Sequence, residues 1–123
     1  MVEGEKELQI EDNQIEQNKD GIVLLNSLGS VKGNWISRNT RYGVLATGRT
    51  TAHILENIIE ESPTGLLIKD PSEPSVKQNK ISSNRIQVEM DKKVGKKYWS
   101  LYQRENPKIN GPNAIPKSTC TIF

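Results

Sequence analysis

The sequence is short of the residue types that build chemical centres and large cores. It has one cysteine, Cys120, one histidine, His53, and one phenylalanine. A single cysteine excludes an intrachain disulfide. One histidine and one cysteine fall short of the several ligands at fixed spacing that a metal site needs. Cys120 is also far from His53 along the chain, so no cysteine–histidine nucleophile pair has a scaffold. His53 therefore reads as a structural or surface residue. Gly29, Gly33, Gly43 and Gly48 make a glycine-rich region, but no Walker pattern or strand–GxGxxG–helix unit accompanies them. These shortages predict a non-enzymatic protein with no cofactor and no small-molecule substrate.

Core-forming residues are scarce as well. Leucine, isoleucine, valine and phenylalanine make 30 of the 123 residues, aromatics 5%, and mean hydropathy is −0.65. Each residue that becomes ordered loses roughly 1–2 kcal/mol of backbone entropy, and a chain this short buries a small share of its surface. The expected fold class is a mostly irregular, extended chain with a few short α and β elements, a small α+β arrangement at most. A disordered N-terminal arm and C-terminal tail flank it. The expected organisation is an acidic flexible arm over 1–20, a small ordered or partner-ordered region over 21–69 and a polar linker over 70–84. A strand plus a basic aromatic helix over 85–105 and a flexible tail over 106–123 complete it. We find no internal repeat of useful length along the sequence.

Within this frame the hydrophobic pattern suggests local elements. Asp20 suits the cap of a short helix over 21–28, with a strand over 22–25 as the competing reading. Residues 29–50 read as irregular, with a short strand near 42–46. Ile54, Leu55, Ile58 and Ile59 share one face of a helix over 52–61. Residues 65–69 read as a short buried strand. Alternation of Ile86, Val88 and Met90 predicts a strand over 85–90, and Val94, Tyr98, Leu101 and Tyr102 form a helical stripe.

Charge is segregated along the chain. Seven acids stand in residues 1–20, whereas Lys32, Arg38, Arg41 and Arg49 stand in 32–50 without any acid. A second basic block holds Lys92, Lys93, Lys96, Lys97 and Arg104. Rings alternate with these cations. The predicted partner-binding residues are therefore Trp35, Arg38, Arg41, Tyr42, Arg49, Lys92, Lys93, Lys96, Lys97 and Trp99, facing a protein with an acidic surface. Nucleic acid is a weaker alternative partner.

The last four residues, Cys120-Thr121-Ile122-Phe123, have the C-a-a-X form of a prenylation signal. A lipid on Cys120, with the upstream lysines as second signal, would hold the protein at a membrane surface. No apolar run approaches the ~18 residues of a membrane span, and the acidic start lacks the form of a signal peptide. The expected function is a non-enzymatic interaction or adaptor protein, prenylated at Cys120 and peripherally membrane-associated. The alternatives are a filament- or microtubule-associated, for example ciliary, protein and a weak nucleic-acid binder. Each places the chain in the cytoplasm, at a peripheral membrane or on the cytoskeleton or cilium.

Overall fold

The structure is a computed structural model that describes residues 2–3, 7–106, 108–109 and 117–118. It is a parallel β-solenoid of about 4 turns with one helix, not a mostly irregular chain. The first turn holds β1 (Val2–Glu3), β2 (Glu7–Glu11) and β3 (Gln14–Glu16). The second holds β4 (Asp20–Leu25), β5 (Leu28–Lys32) and β6 (Trp35–Ser37); the third, β7 (Tyr42–Thr47), β8 (His53–Leu55) and β9 (Ile58–Glu60). The fourth holds β10 (Thr64–Ile68), β11 (Ser75–Lys77) and β12 (Lys80–Ser82). It is followed by β13 (Ile86–Met90), α1 (Lys92–Glu105), β14 (Lys108–Ile109) and β15 (Lys117–Ser118).

Equivalent strands of successive turns pair in parallel and make three sheets. Sheet one runs β1-β4-β7-β10-β13-β15, sheet two β2-β5-β8-β11, and sheet three β3-β6-β9-β12-β14. The core between them is built of columns. Ile22, Val44, Leu66 and Val88 pair in register in sheet one, beside Leu24, Ala46, Ile68 and Met90. In sheet three Ile15, Ile36, Ile59 and Ile81 stack one on the next. The last three of these isoleucines are 0% exposed. A solenoid fills its narrow interior with one medium-sized side chain per turn per column, so a chain poor in aliphatic residues suffices where a globular core needs more.

The corners explain why such short strands hold. Each sheet-two strand is followed at once by a residue with positive φ, namely Asp12, Gly33, Glu56 and Gln78, and then by asparagine. Sheet-three strands are followed in the same way by Gln17, Arg38, Glu61 and Ser83, and then by Asn18, Asn39, Ser62 and Asn84. The left-handed residue turns the chain at some conformational cost, and the next side chain ties the corner to the following turn. Asn13, Asn34, Asn57, Asn79 and Asn106 form a continuous ladder. In it the backbone N–H and Nδ2 of each donate to Oδ1 of the next, at 2.9–3.1 Å. From Asn34 onward each Nδ2 also donates to a sheet-two carbonyl of the preceding turn: Ile10, Val31, Ile54 and Val76. Buried amides satisfied in this way add stability and fix the register.

Several sequence expectations are corrected here. The stretch over 52–61 is two strands, β8 and β9, because Glu56 at φ 54° and Asn57 break it at a corner. The helix over 21–28 gives way to β4, its competing reading. Residues 29–50 carry β5 and β6 besides β7, the supposed arm carries β1, β2 and β3, and the supposed linker carries β11 and β12. A repeat does exist: asparagine, then isoleucine two residues on and asparagine or serine five residues on, at Asn13, Asn34, Asn57 and Asn79. Its period is 21 to 23 residues.

Helix α1 replaces the sheet-two strand of the fifth turn. Val94 and Tyr102 are buried, Tyr98 and Tyr102 stack with centroids 5.6 Å apart, and Tyr102 Oη donates to Pro74 O at 2.7 Å. Gln78 N–H donates to Glu105 O at 2.7 Å, so the edge of β11 is covered by the helix. The tail beyond Asn106 lies almost wholly outside the described residues.

Candidate binding surface

Because one turn takes about as many residues as separate the acidic from the basic segment, the linear charge segregation folds onto itself. Glu11 stands in register with Lys32. Arg38 Nη2 pairs with Glu16 Oε2, and Arg38 Nε lies 4.0 Å from Glu61 Oε2. Arg41 grips Asp20 with two bonds, Nε to Oδ1 at 2.9 Å and Nη2 to Oδ2 at 2.7 Å, and its guanidinium lies 4.9 Å from the Tyr42 ring centre. These bonds hold the Asp20 carboxyl below its ordinary range, Arg41 being the main cause, and the carboxylates in turn raise Arg38 and Arg41.

The predicted partner-binding residues therefore do not form one patch. Arg38 lies at a sheet-three corner, Arg41 and Tyr42 at the start of sheet one, and Arg49 at the next corner, where its N–H donates to Asn26 Oδ1 at 2.8 Å. Lys93, Lys96 and Lys97 belong to α1. Lys97 lies 3.6 Å from Glu73 and 5.2 Å from the Tyr98 ring centre, and Tyr98 Oη donates to Glu73. Glu73 is held below its usual range, first by Tyr98 and then by Lys97. Trp99 packs half-buried against the core, so it is no free anchor. The Lys92 side chain and Cys120 lie outside the described residues.

Trp35 is the residue that the structure sets apart. It faces outward from sheet three, 45% exposed, between Gln14 and Ile58 in register. Ile58 is itself 40% exposed, and Lys80 follows it in the column. The indole Nε1 donates to Glu60 Oε2 at 3.0 Å, which fixes the ring on the sheet. Two residues on in the strand, Ser37 is 1% exposed and its Oγ has no hydrogen-bond partner among the described residues. The result is a rigid apolar pair, Trp35 and Ile58, rimmed by Glu16, Arg38, Glu60 and Glu61. Sequence reasoning missed Ile58, which the helical reading of 52–61 had turned inward. The two-residue offset from Asn57, shared by Ile59 with Ile36, would have shown that Ile59 is inward and Ile58 outward.

Sheet two offers a shallower feature. A recess of about 300 Å³ is lined by Glu7, Gln9, Leu28, Ser30, Thr51 and His53. His53 is exposed there, with Ser30 and Ser75 as its neighbours in register. Among the described residues, no three histidine, cysteine or acidic side chains stand close enough together to hold a metal ion.

The family model described as NosD, periplasmic copper-binding protein, matches residues 1–112. No curated protein and no solved structure matches the chain. The family is one of periplasmic proteins, which points to a periplasmic or extracellular place and overturns the cytoplasmic, peripheral-membrane or cytoskeletal location expected from the sequence. The C-a-a-X reading of Cys120 rested on that cytoplasmic setting.

Proposed function

Since the chain belongs to the NosD family of periplasmic copper-binding proteins, we propose that it acts outside the cytoplasm as a non-enzymatic, protein-binding solenoid. Its docking face is the outer side of sheet three. The observation that supports this reading is Trp35, held by Glu60 beside exposed Ile58 on the outer side of sheet three. Exposed tryptophans in fixed orientation, ringed by charge, have the make-up of interface anchors. An acidic partner would meet Lys93 and Lys96 on α1 rather than Arg38 and Arg41, whose guanidiniums are already paired.

The residues of this chain do not fit the copper ion named in the family's description. Copper favours thiolate and thioether sulfur in its lower oxidation state and imidazole in its higher one. The chain has one histidine, one cysteine and two methionines. His53 faces serine hydroxyls, and Met90 is 0% exposed in the core column of Ala46 and Ile68. No step of the proposed function runs through a metal.

The test is a photo-cross-linking amino acid placed at position 35, with position 77 on sheet two as control, in the protein's native cells. The reading expects a discrete protein adduct from position 35 and none from position 77. Equal or absent adducts from both positions would overturn it.

A further inference from the structure

The charge around Trp35 is one-sided. Glu16, Glu60 and Glu61 stand at its rim with Arg38, three carboxylates against one guanidinium. Arg38 is already engaged, bonded to Glu16 and 4.0 Å from Glu61. Lys80 stands two rungs away, beyond Ile58 in the column. Glu60 touches the ring itself. Its Oε2 accepts from Trp35 Nε1 at 3.0 Å, while Oε1 has no hydrogen-bond partner among the described residues. Ser37 lies between Glu16 and Glu60 in register, and alternation along β6 puts it on the side of Trp35. Its buried hydroxyl bonds nothing among the described residues, so the rim holds a second unused acceptor.

An indole with a carboxylate fixed at its edge suits a guanidinium. The ring face attracts a cation, and a planar guanidinium stacks on it while its N–H groups reach the free oxygen of Glu60. An ammonium has no such plane to stack. Adjacent rungs put Ile58 about 4.8 Å from Trp35, and residues three apart on a helix rise about 4.5 Å. We infer that the partner docks through a helix laid along the solenoid axis, with an arginine on Trp35 and Glu60 and an apolar residue on Ile58. This rests on sheet three being the docking face and adds the chemistry of what docks there. The partner is basic at this contact, opposite in sign to the acidic surface expected from the sequence.

The probe is an alanine-based helical peptide, acetyl-Ala-Gln-Ala-Ala-Arg-Ala-Ala-Leu-Ala-Gln-Ala-amide, titrated into the full chain labelled with nitrogen-15. The readout is the Trp35 indole N–H signal, assigned by its loss in Trp35→Phe. The expected result is a saturable shift. Binding weakens at least tenfold with citrulline, the uncharged analogue, in place of arginine, and several-fold with lysine. It also weakens several-fold when the leucine is moved to the second residue after the arginine, off the shared face. Glu60→Gln keeps an acceptor for the indole N–H and removes only the charge, and it lowers affinity at least fivefold. Glu11→Gln, an equal loss of charge on sheet two, leaves affinity unchanged. Absence of a saturable shift overturns the inference, as does a shift equal for arginine and citrulline or indifferent to Glu60→Gln. The face is tested separately by the cross-link: an adduct from position 35 without arginine dependence keeps the docking face and removes the arginine.

Discussion

Arg41 and Asp20 are 21 residues apart in the chain and one strand apart in space, joined by two short hydrogen bonds on the surface of sheet one. The pair shows how the solenoid converts sequence distance into contact: what lies one period away lies alongside. Its acid is largely covered, 13% exposed, while the guanidinium is 47% exposed. The contribution is therefore that of a partly screened pair rather than a buried one.

Because Asp20 titrates below its ordinary value of 3.8 in the folded chain, the stability it supplies is complete above that value. It is lost as pH falls through the lowered folded value. Thermal unfolding followed by circular dichroism should show a midpoint that declines on acidification below about pH 4. Asp20→Asn should flatten part of that decline and lower the midpoint at neutral pH. An unchanged acid limb in the variant would show that the decline arises elsewhere.

Asn57 sits in the middle of the ladder, 1% exposed, and its side chain bonds Asn34, Asn79 and Val31 O. Asn57→Ala strands several buried donors and acceptors, so chemical denaturation should report a loss of about 3–5 kcal/mol. Asn13→Ala, at the exposed end of the same ladder, should cost about 1 kcal/mol. Equal losses at the two positions would contradict the ladder as a source of stability.

The second ladder carries a defect. Ser62 occupies the place that asparagine takes at 18, 39 and 84, and Asn39 Nδ2 is left without a partner among the described residues. Ser62→Asn offers an Oδ1 to both Asn39 donors and should stabilise the protein by about 0.5–1.5 kcal/mol. A lower denaturation midpoint in the variant would mean that the corner at Pro63 lacks room for the amide.

Gly43 is required for space, not for its dihedral angles. A Cβ there would stand 2.7 Å from Gly65 O and 2.8 Å from Ile59 Cγ2. Gly43→Ala should therefore destabilise by about 1–3 kcal/mol, as overpacking does. Gly21 and Gly65 are equally tight, while Gln87 takes the equivalent place in β13, where its side-chain amide bonds Asn84. A neutral Gly43→Ala in equilibrium unfolding would refute this packing.

Copper should not act as a structural ligand. Treatment with a strong chelator, followed by back-titration with Cu(I) and Cu(II), should leave the thermal midpoint unchanged at protein concentrations where a real site would shift it. A reproducible upward shift, retained in His53→Ala, would place donors where the described residues do not supply them.

The sequence made three of the sheet-one strands readable, β7, β10 and β13, and the architecture unreadable. Residues 42–46 and 65–69 alternate or run apolar in the manner of strands, and β7 and β10 are there. The stripe of Val94, Tyr98, Leu101 and Tyr102 lies on α1. What failed was the reading of 52–61. Four apolar residues at i, i+1, i+4 and i+5 satisfy a helical face, and the same spacing arises from two three-residue strands joined by a left-handed residue and an asparagine. Local periodicity cannot separate these; only the recurrence of Asn-x-Ile every 21 to 23 residues does. Of the predicted binding residues, Trp35 is exposed, whereas Arg38 and Arg41 are paired with acids one turn back. That pairing is invisible until the period is known.

The varying length of the turns has a consequence for how such a chain changes over generations. The spacing from Asn18 to Gly21 is one residue shorter than from Asn39 to Gly43, and the added residue is absorbed at a corner while every column stays in line. Excising or duplicating one whole period joins each column to its own successor. Mutation can therefore alter the reach of this molecule in discrete steps, and the chemistry of every rung survives the edit.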